Sequence, residues 1–293
     1  MYELNRLGDK SWYINCYAKV GIYQQTETEV YIIDSGNDDE DAREIEKILK
    51  QKGWKLKGIL NTHAHVDHMG GNSYIQSVYG CPAFSKGAEA AIASHTQIEP
   101  VITYGAHPFR DARSRSFFAA SSICYDVTHS EFPGEVEVID LPGHSIEHVG
   151  YRLPDNTVFI GDSAAGDSLL AKYPILYVLN VGQYLESLEK LKALKPGMFV
   201  LSHGQVTSDI GPVAQNNIDN IRKICDRIEN ICREPKDMGQ ILKAVFDRYG
   251  MNMNYRQYVL TLAIVRAFVS YLVDSGRIEG VVENNIMLWR KTL

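Results

Sequence analysis

The chain reads as an α/β protein built of layered mixed sheets, and three observations predict this. Short β-branched and aromatic runs alternate with amphipathic helical stretches along most of the 293 residues. Several runs lie close enough in sequence to form hairpins, so antiparallel neighbours should join parallel ones. The composition is that of an ordinary globular protein, 45% hydrophobic and 23% charged with a formal charge of −6. That sets aside disordered, collagenous and fibrous classes and suits one large domain with at most a small appendage.

Taken in order, Trp12 to Val20 and Glu29 to Asp34 read as strands, the second closed by Ser35-Gly36-Asn37. Asp38 to Lys52 places Ile45, Ile48 and Leu49 on one face of a charged stretch and stops at Gly53, which predicts a surface helix. Leu56 to Leu60 is a short strand running into Asn61-Thr62-His63-Ala64-His65-Val66-Asp67-His68, and a helix starts near Asn72 after Gly70-Gly71. The pattern weakens from Lys86 to Gly134, a stretch rich in aromatics and proline that reads as an insertion at a pocket edge with a short helix or two. Strands return at Val136 to Leu141, His148 to Leu153, Thr157 to Ile160 and Met198 to Leu201, with helices at Gly182 to Leu194 and about Val213 to Cys232.

Arg233-Glu234-Pro235 marks a joint, giving a large unit over 1–232 and a small module over 233–293. In the module, Asp237 to Tyr249 and Tyr255 to Asp274 read as helices, and a hairpin turns at Asn284-Asn285. Helix, helix and two-stranded wing is the order of a winged helix. Its last helix is mostly apolar, so burial against the rest of the chain or against a second copy is expected, and a homodimer through this module is the expected assembly.

The five cysteines are scattered without a C-x-x-C pair, which favours a reducing, cytoplasmic setting. The longest apolar stretch, Val259 to Val273, is interrupted by Arg266 and falls short of the about 20 residues a bilayer-crossing helix needs. No membrane partner and no signal peptide are expected. Net negative charge argues against wholesale nucleic-acid binding.

The chemistry concentrates in His63-x-His65-x-Asp67-His68, four metal-competent side chains directly after a strand, where a loop allowed by Gly70-Gly71 lets them converge. Three more ligand-type residues end apolar strands: His144 after Leu141-Pro142-Gly143, Asp162 after Gly161, and His203 after Ser202. Five imidazoles and two carboxylates suffice for two divalent ions sharing a carboxylate and a water, about 3.5–4 Å apart. Zinc is the expected metal, with iron or manganese as alternatives. His148, four residues after His144, is a candidate partner for a ligand imidazole, whereas His95, His107 and His129 read as ordinary surface or core residues.

The HxHxDH run, His144 in PGHS, Asp162 in GDS and His203 in SHG follow one another at separations of 76, 18 and 41 residues. Together with Ile32-Ile33-Asp34-Ser35-Gly36 this resembles the metallo-β-lactamase superfamily over about residues 10–215. The resemblance implies a four-layer αβ/βα sandwich of two mixed sheets with metals at one edge. It also implies that His63, His65 and His144 hold one ion, that Asp67, His68 and His203 hold the other, and that Asp162 bridges them. Asp67 serves as ligand or as proton acceptor. Tyr184 to Leu188, Lys195-Pro196-Gly197 and the winged-helix-like tail resemble the β-lactamase-like protein 2 branch, whose members include RNA nucleases and small-ester or thioester hydrolases.

The expected function is therefore metal-dependent hydrolysis of a small ester, thioester or lactone by a hydroxide shared between two ions. The insertion aromatics Tyr104, Phe109, Phe117 and Phe118 are candidate pocket walls, and Lys172, Tyr173 and Tyr104 are candidate substrate contacts. A nuclease or phosphodiesterase is the first alternative. Residues 233–293 carry 9 basic and 6 acidic residues, but the apolar last helix suits burial better than groove insertion. A mononuclear-iron sulfur dioxygenase is the second alternative. A flavin-linked reductase is not expected, since those relatives usually carry Glu where His65 stands. Glutathione-thioester hydrolysis is not expected either, since the tail lacks the basic, tyrosine-bearing helices of glyoxalase II. Seven intact ligand positions argue against a non-enzymatic scaffold.

Overall fold

The computed structural model describes residues 2–113, 118–173 and 175–292. Seven strands form the first sheet in chain order: Glu3–Arg6 (β1), Ser11–Asn15 (β2), Val20–Gln24 (β3), Glu29–Ile33 (β4), Lys55–Leu60 (β5), Ala83–Ser85 (β6) and Cys124–Asp126 (β7). The pairs from β1 to β4 are antiparallel and those from β4 to β7 parallel. The run from Trp12 to Val20 is thus two strands and not one. The chain turns after Asn15, and Val20 comes back to pair with Ile14. That turn holds neither Gly nor Pro, so the apolar run hides it.

Helix α1 (Asp39–Lys52) starts where the Asp38 carboxylate accepts the Glu40 and Asp41 backbone N–H groups, and it ends at left-handed Gly53. The short α2 (Val66–Met69) and α3 (Asn72–Tyr79) follow β5. Asp67 and His68 therefore sit on a single helical turn, where a loop is expected from sequence. The insertion holds α4 (Gly87–Ser94), α5 (Ile98–Tyr104) and a 3-10 turn at Arg110–Ala112, as expected, but also β7, which extends the first sheet. Three residues are too few to show a period. Phe117 lies outside the described residues.

The second sheet has the order β11-β10-β9-β8, from Glu137–Asp140 (β8), Val149–Arg152 (β9), Thr157–Phe159 (β10) and Met198–Val200 (β11). Helices α6 (Asp167–Lys172), α7 (Val181–Lys192) and α8 (Gly211–Ile231) accompany it. Period-2 alternation separates the layers. Val30 and Ile32 face Ala42, Ile45 and Leu49 of α1. Tyr31 and Ile33, with Tyr23, Leu60 and Phe84, face Tyr151, Phe159 and Val200 of the other sheet. Val158 and Phe199 in turn face Leu188 and Leu191 of α7 and Ile218 and Ile221 of α8. Helix, sheet, sheet, helix is the resulting order, a four-layer αβ/βα sandwich. Each fully buried side chain of this size contributes roughly 1.5–3 kcal/mol.

The tail comprises α9 (Met238–Tyr249), α10 (Tyr255–Asp274) and the hairpin of β12 (Ile278–Glu283) and β13 (Ile286–Lys291). Asp237 and Gln240 close α9 with a capping box, and the Asn254 side chain caps α10. Asn284 and Asn285 both take left-handed φ in the two-residue turn. Phe246, Phe268 and Leu272 belong to the same hydrophobic core as Leu188, Ile218 and Phe199, so the tail and the outer helix layer are packed as one body. By length and composition α10 meets the requirement for a bilayer-crossing helix, longer than the apolar run alone suggests. Its apolar face is taken up by α5, α7, α8 and α9.

Phe268 is fully buried at this junction. Phe268→Ala is expected to cost about 3–5 kcal/mol and to lower the midpoint of a single unfolding transition. A tail that melts separately while the remaining chain keeps its midpoint would contradict the shared core.

Candidate metal centre

Strand ends deliver the site. His63 and His65 follow β5, Asp67 and His68 ride on α2, and His144, Asp162 and His203 follow β8, β10 and β11. Two glycines let these segments close in. A Cβ at Gly70 would lie 1.9 Å from the Asn37 carbonyl oxygen, and one at Gly161, where φ is +54°, would lie 2.5 Å from His148 Nε2.

All seven residues expected from sequence come together, in three overlapping groups: His63, His65 and His144; His63, His68 and Asp162; and Asp67, His68 and His203. His65 Nδ1 lies 2.9 Å from His63 Nε2 and 3.0 Å from His144 Nε2. His203 Nε2 lies 3.1 Å from Asp67 Oδ2. Asp162 stands between the two sets, with Oδ1 3.4 Å from His68 Nε2 and Oδ2 3.6 Å from both His144 Nε2 and His203 Nε2.

The outward nitrogens decide what the inward ones can do. His63 Nδ1 meets Thr62 Oγ1 at 3.0 Å, and His68 Nδ1 meets Asp34 Oδ2 at 2.8 Å. His144 Nδ1 meets the Tyr177 carbonyl at 3.0 Å and His203 Nδ1 the Tyr17 carbonyl at 3.1 Å. His65 Nε2 faces Glu99 Oε1 at 3.4 Å. Because the Thr62 hydroxyl donates to Asp34, it accepts from His63. Every outward nitrogen therefore faces an oxygen that can accept its hydrogen bond, so each ring in its neutral form can keep a lone pair on the inward nitrogen.

Burial pulls every imidazole down, and in His63, His144 and His148 it prevails, bringing His144 to about 4. In the other three, carboxylates outweigh burial: Glu99 for His65, Asp162 with Asp34 and Asp67 for His68, and Asp162 and Asp67 for His203. Burial raises the two central carboxyls, yet the imidazoles outweigh it, holding Asp67 down to about 2 and Asp162 well below the usual range. The cluster calls for positive charge. Buried His68 Nε2 and Asp162 Oδ1 have no hydrogen-bond partner among the described residues, and divalent ions fit that gap by charge and by donor type.

His148 does not partner a ligand imidazole as expected; its Nε2 accepts the Asp162 backbone N–H at 3.0 Å and so fixes the loop carrying that carboxylate. Lys172 and Tyr173 line a cavity of about 750 Å³ over the centre, together with Tyr17, Tyr177 and Leu169. Tyr104 does not line it; it packs with Phe118, Val259 and Leu260. Phe109 stacks edge-on against Tyr255 instead. Sequence reading misses the far wall, contributed by the tail through Tyr249, Met251, Arg256 and Leu260. It also misses Glu99, and it takes Asp34 only as part of a turn.

Residues 14–203 match the family described as the metallo-beta-lactamase superfamily, and the chain belongs to that superfamily. The hydroxyacylglutathione hydrolase of Erythrobacter litoralis (strain HTCC2594) is 30% identical over 168 residues, 54% of this chain and 53% of that protein. The protein of the same name from Shewanella baltica is 30% identical over 57% of this chain and 55% of its own length. The chain thus spans about half the length of the curated relatives it matches. A β-lactamase domain protein from Burkholderia ambifaria superposes with a TM-score of 0.70 at 16% identity, over 99% of this chain and 94% of that one. A metallo-beta-lactamase family protein from Thermus thermophilus does so with 0.69 at 16% identity, over 100% and 98%. These two likenesses show a common fold that includes the tail.

Two outcomes are expected. Asp34→Asn should weaken divalent-metal affinity about 10–100-fold, read by competition with a chelating dye. Ions entering the site displace protons from His65, His68 and His203, so apparent affinity should fall from pH 8 to pH 6 with proton release seen by calorimetry in buffers of different ionisation heat. Affinity that does not change over that range would contradict this electrostatic picture.

Proposed function

We propose that this chain is a metal-dependent hydrolase of a small carboxylic ester, thioester or lactone, with two divalent ions, zinc first, held by His63, His65 and His144 on one side and Asp67, His68 and His203 on the other, Asp162 between them. The observation that carries this reading is the set of five clustered imidazoles whose outward nitrogens are all occupied, three of which, His65, His144 and His203, line one cavity with Asp67 and Asp162. Ions so held supply polarisation of the scissile carbonyl and acidification of a water.

The remaining roles fall to side chains of the chain itself. A carboxyl held as low as Asp67 is a weak base, so its part is to stay ionised, to hold metal and to orient the attacking water by accepting its hydrogen bond. Lys172, whose ammonium lies 4.9 Å from the Tyr173 ring centroid, stands with Tyr173 at the cavity wall, placed to meet an anionic or carbonyl group of the substrate. Apolar Leu169, Leu176 and Leu260 give the acyl portion a dry surface. The name carried by the curated relatives, hydroxyacylglutathione hydrolase, supports the thioester member of this substrate class and runs against the expectation, drawn from the tail, that glutathione thioesters are not substrates.

The test is elemental analysis of protein purified without added metal, with turnover of an ester, thioester and lactone panel beside a phosphodiester. About two zinc per chain with acyl turnover is expected, lost on chelation and regained on adding zinc. Asp162→Ala and His63→Ala should lower bound metal and abolish turnover, and Asp67→Ala should lower both bound metal and turnover. Phosphodiester turnover alone would replace this reading with a nuclease. One iron without hydrolysis would replace it with sulfur oxidation.

A further inference from the structure

Two glutamates in the insertion, Glu89 buried and Glu99 half-buried, both reach the same half of the metal centre. Glu89, on α4, is 1% exposed. Its Oε2 accepts the Ala64 backbone N–H at 2.9 Å, in the peptide between His63 and His65. Its Oε1 accepts the Glu147 backbone N–H at 3.0 Å, three residues beyond His144. The Glu147 side chain returns the contact by accepting the Ala88 backbone N–H at 2.5 Å. One carboxylate thereby staples the two loops that carry all three histidines of that group.

Glu99, on α5, acts on a side chain instead. Its Oε1 faces His65 Nε2 at 3.4 Å and accepts the Thr103 hydroxyl at 3.0 Å. Thr103 Oγ1 in turn lies 3.5 Å from the Tyr177 hydroxyl, and the Tyr177 backbone carbonyl accepts from His144 Nδ1. Two of the three histidines are thus oriented through one connected set of groups. The other half of the centre is held differently. His68 relies on Asp34 at the end of β4, and His203 on the Tyr17 carbonyl. Among the described residues, neither His68 nor His203 has a hydrogen bond or ion pair to α4 or α5.

We propose that Glu89 and Glu99 are positioning residues through which the insertion sets the occupancy of the His63, His65 and His144 site, separately from the Asp67, His68 and His203 site. The rings of His65 and His144 then lean on the inserted helix pair, whereas His68 and, through Thr62, the ring of His63 lean on Asp34 at the sheet edge. This rests on the metal-centre reading above and is independent of what substrate is hydrolysed.

The experiment is metal titration of the full chain with zinc, followed by dialysis and elemental analysis, and with cobalt(II) followed by visible absorption. Glu99→Ala should keep one ion per chain at near-normal affinity, weaken the second about 10–100-fold, and remove the part of the cobalt spectrum due to the weakened site. Glu99→Gln, which keeps an oxygen able to accept from His65 Nε2, should restore two ions per chain. Glu89→Gln should show the same selective loss with its melting temperature recorded alongside. Two ions at unchanged affinity in Glu99→Ala would overturn the proposal while leaving the metal centre intact. So would equal loss of both ions in a variant whose melting temperature is normal. A wild-type chain that takes up no ion would overturn the metal reading and this proposal together.

Discussion

The buried carboxylate of Asp34 is the contact from which the rest of the site hangs. It closes β4 in a left-handed conformation, φ 63°, that a non-glycine residue adopts at a cost of order 1 kcal/mol or more. In return it accepts the Thr62 backbone N–H at 2.8 Å, the Thr62 hydroxyl at 2.9 Å and His68 Nδ1 at 2.8 Å. Thr62 passes the constraint to His63, and His68 passes it toward Asp67 and Asp162. A single turn in the sequence, Ile32-Ile33-Asp34-Ser35-Gly36, thus fixes two imidazoles and stitches the end of β4 to the segment leaving β5.

That knot also explains why the centre needs cations. Asp34, Asp67 and Asp162 surround His68, whose ring is fully buried. Carboxylates gathered this closely in a low dielectric repel one another, and each must be offset by a proton or an ion. The imidazoles are set to provide either: protonated, they neutralise the cluster, and deprotonated, they become donors. The same geometry therefore serves two charge states, and exchange between them is a competition of metal with protons.

The seven donors are legible in the sequence because four crowd into the six-residue run that leaves β5 and three more each follow an apolar strand beside Gly or another small residue, a pattern that core packing does not produce by itself. The four layers are legible for the same reason that strands and amphipathic helices are, through periods of 2 and 3.6. What escapes is whatever lacks a period or acts at long range. The bend after Asn15 carries no turn residue, and β7 is only three residues long. Glu89 and Glu99 look like polar residues on short helices, and nothing local says that one meets Ala64 and Glu147 and the other His65. Tyr104 and Phe109 stand out as aromatic, but they find partners in the tail rather than in the cavity. Arg256 and Met251 are some fifty residues past the last ligand and reach the cavity only because α9 and α10 fold back over α7 and α8.

The returning tail makes the two sides of the cavity unequal. Its far wall is the segment joining α9 to α10, and both helices are anchored in the core that backs the second sheet, through Phe246 and Phe268. The near wall, α6 with Tyr173, has no fully buried residue and is anchored far less. A cavity with one wall tied to the core and one wall lightly held can keep its metal donors rigid while its mouth adapts to what enters. Rigidity is where the chemistry needs it, since preorganised donors need no rearrangement when charge develops. The lighter anchoring lies on the α6 side, where the helix buries no residue fully. The division follows from which elements bury apolar surface, and so from the sequence, without any further device.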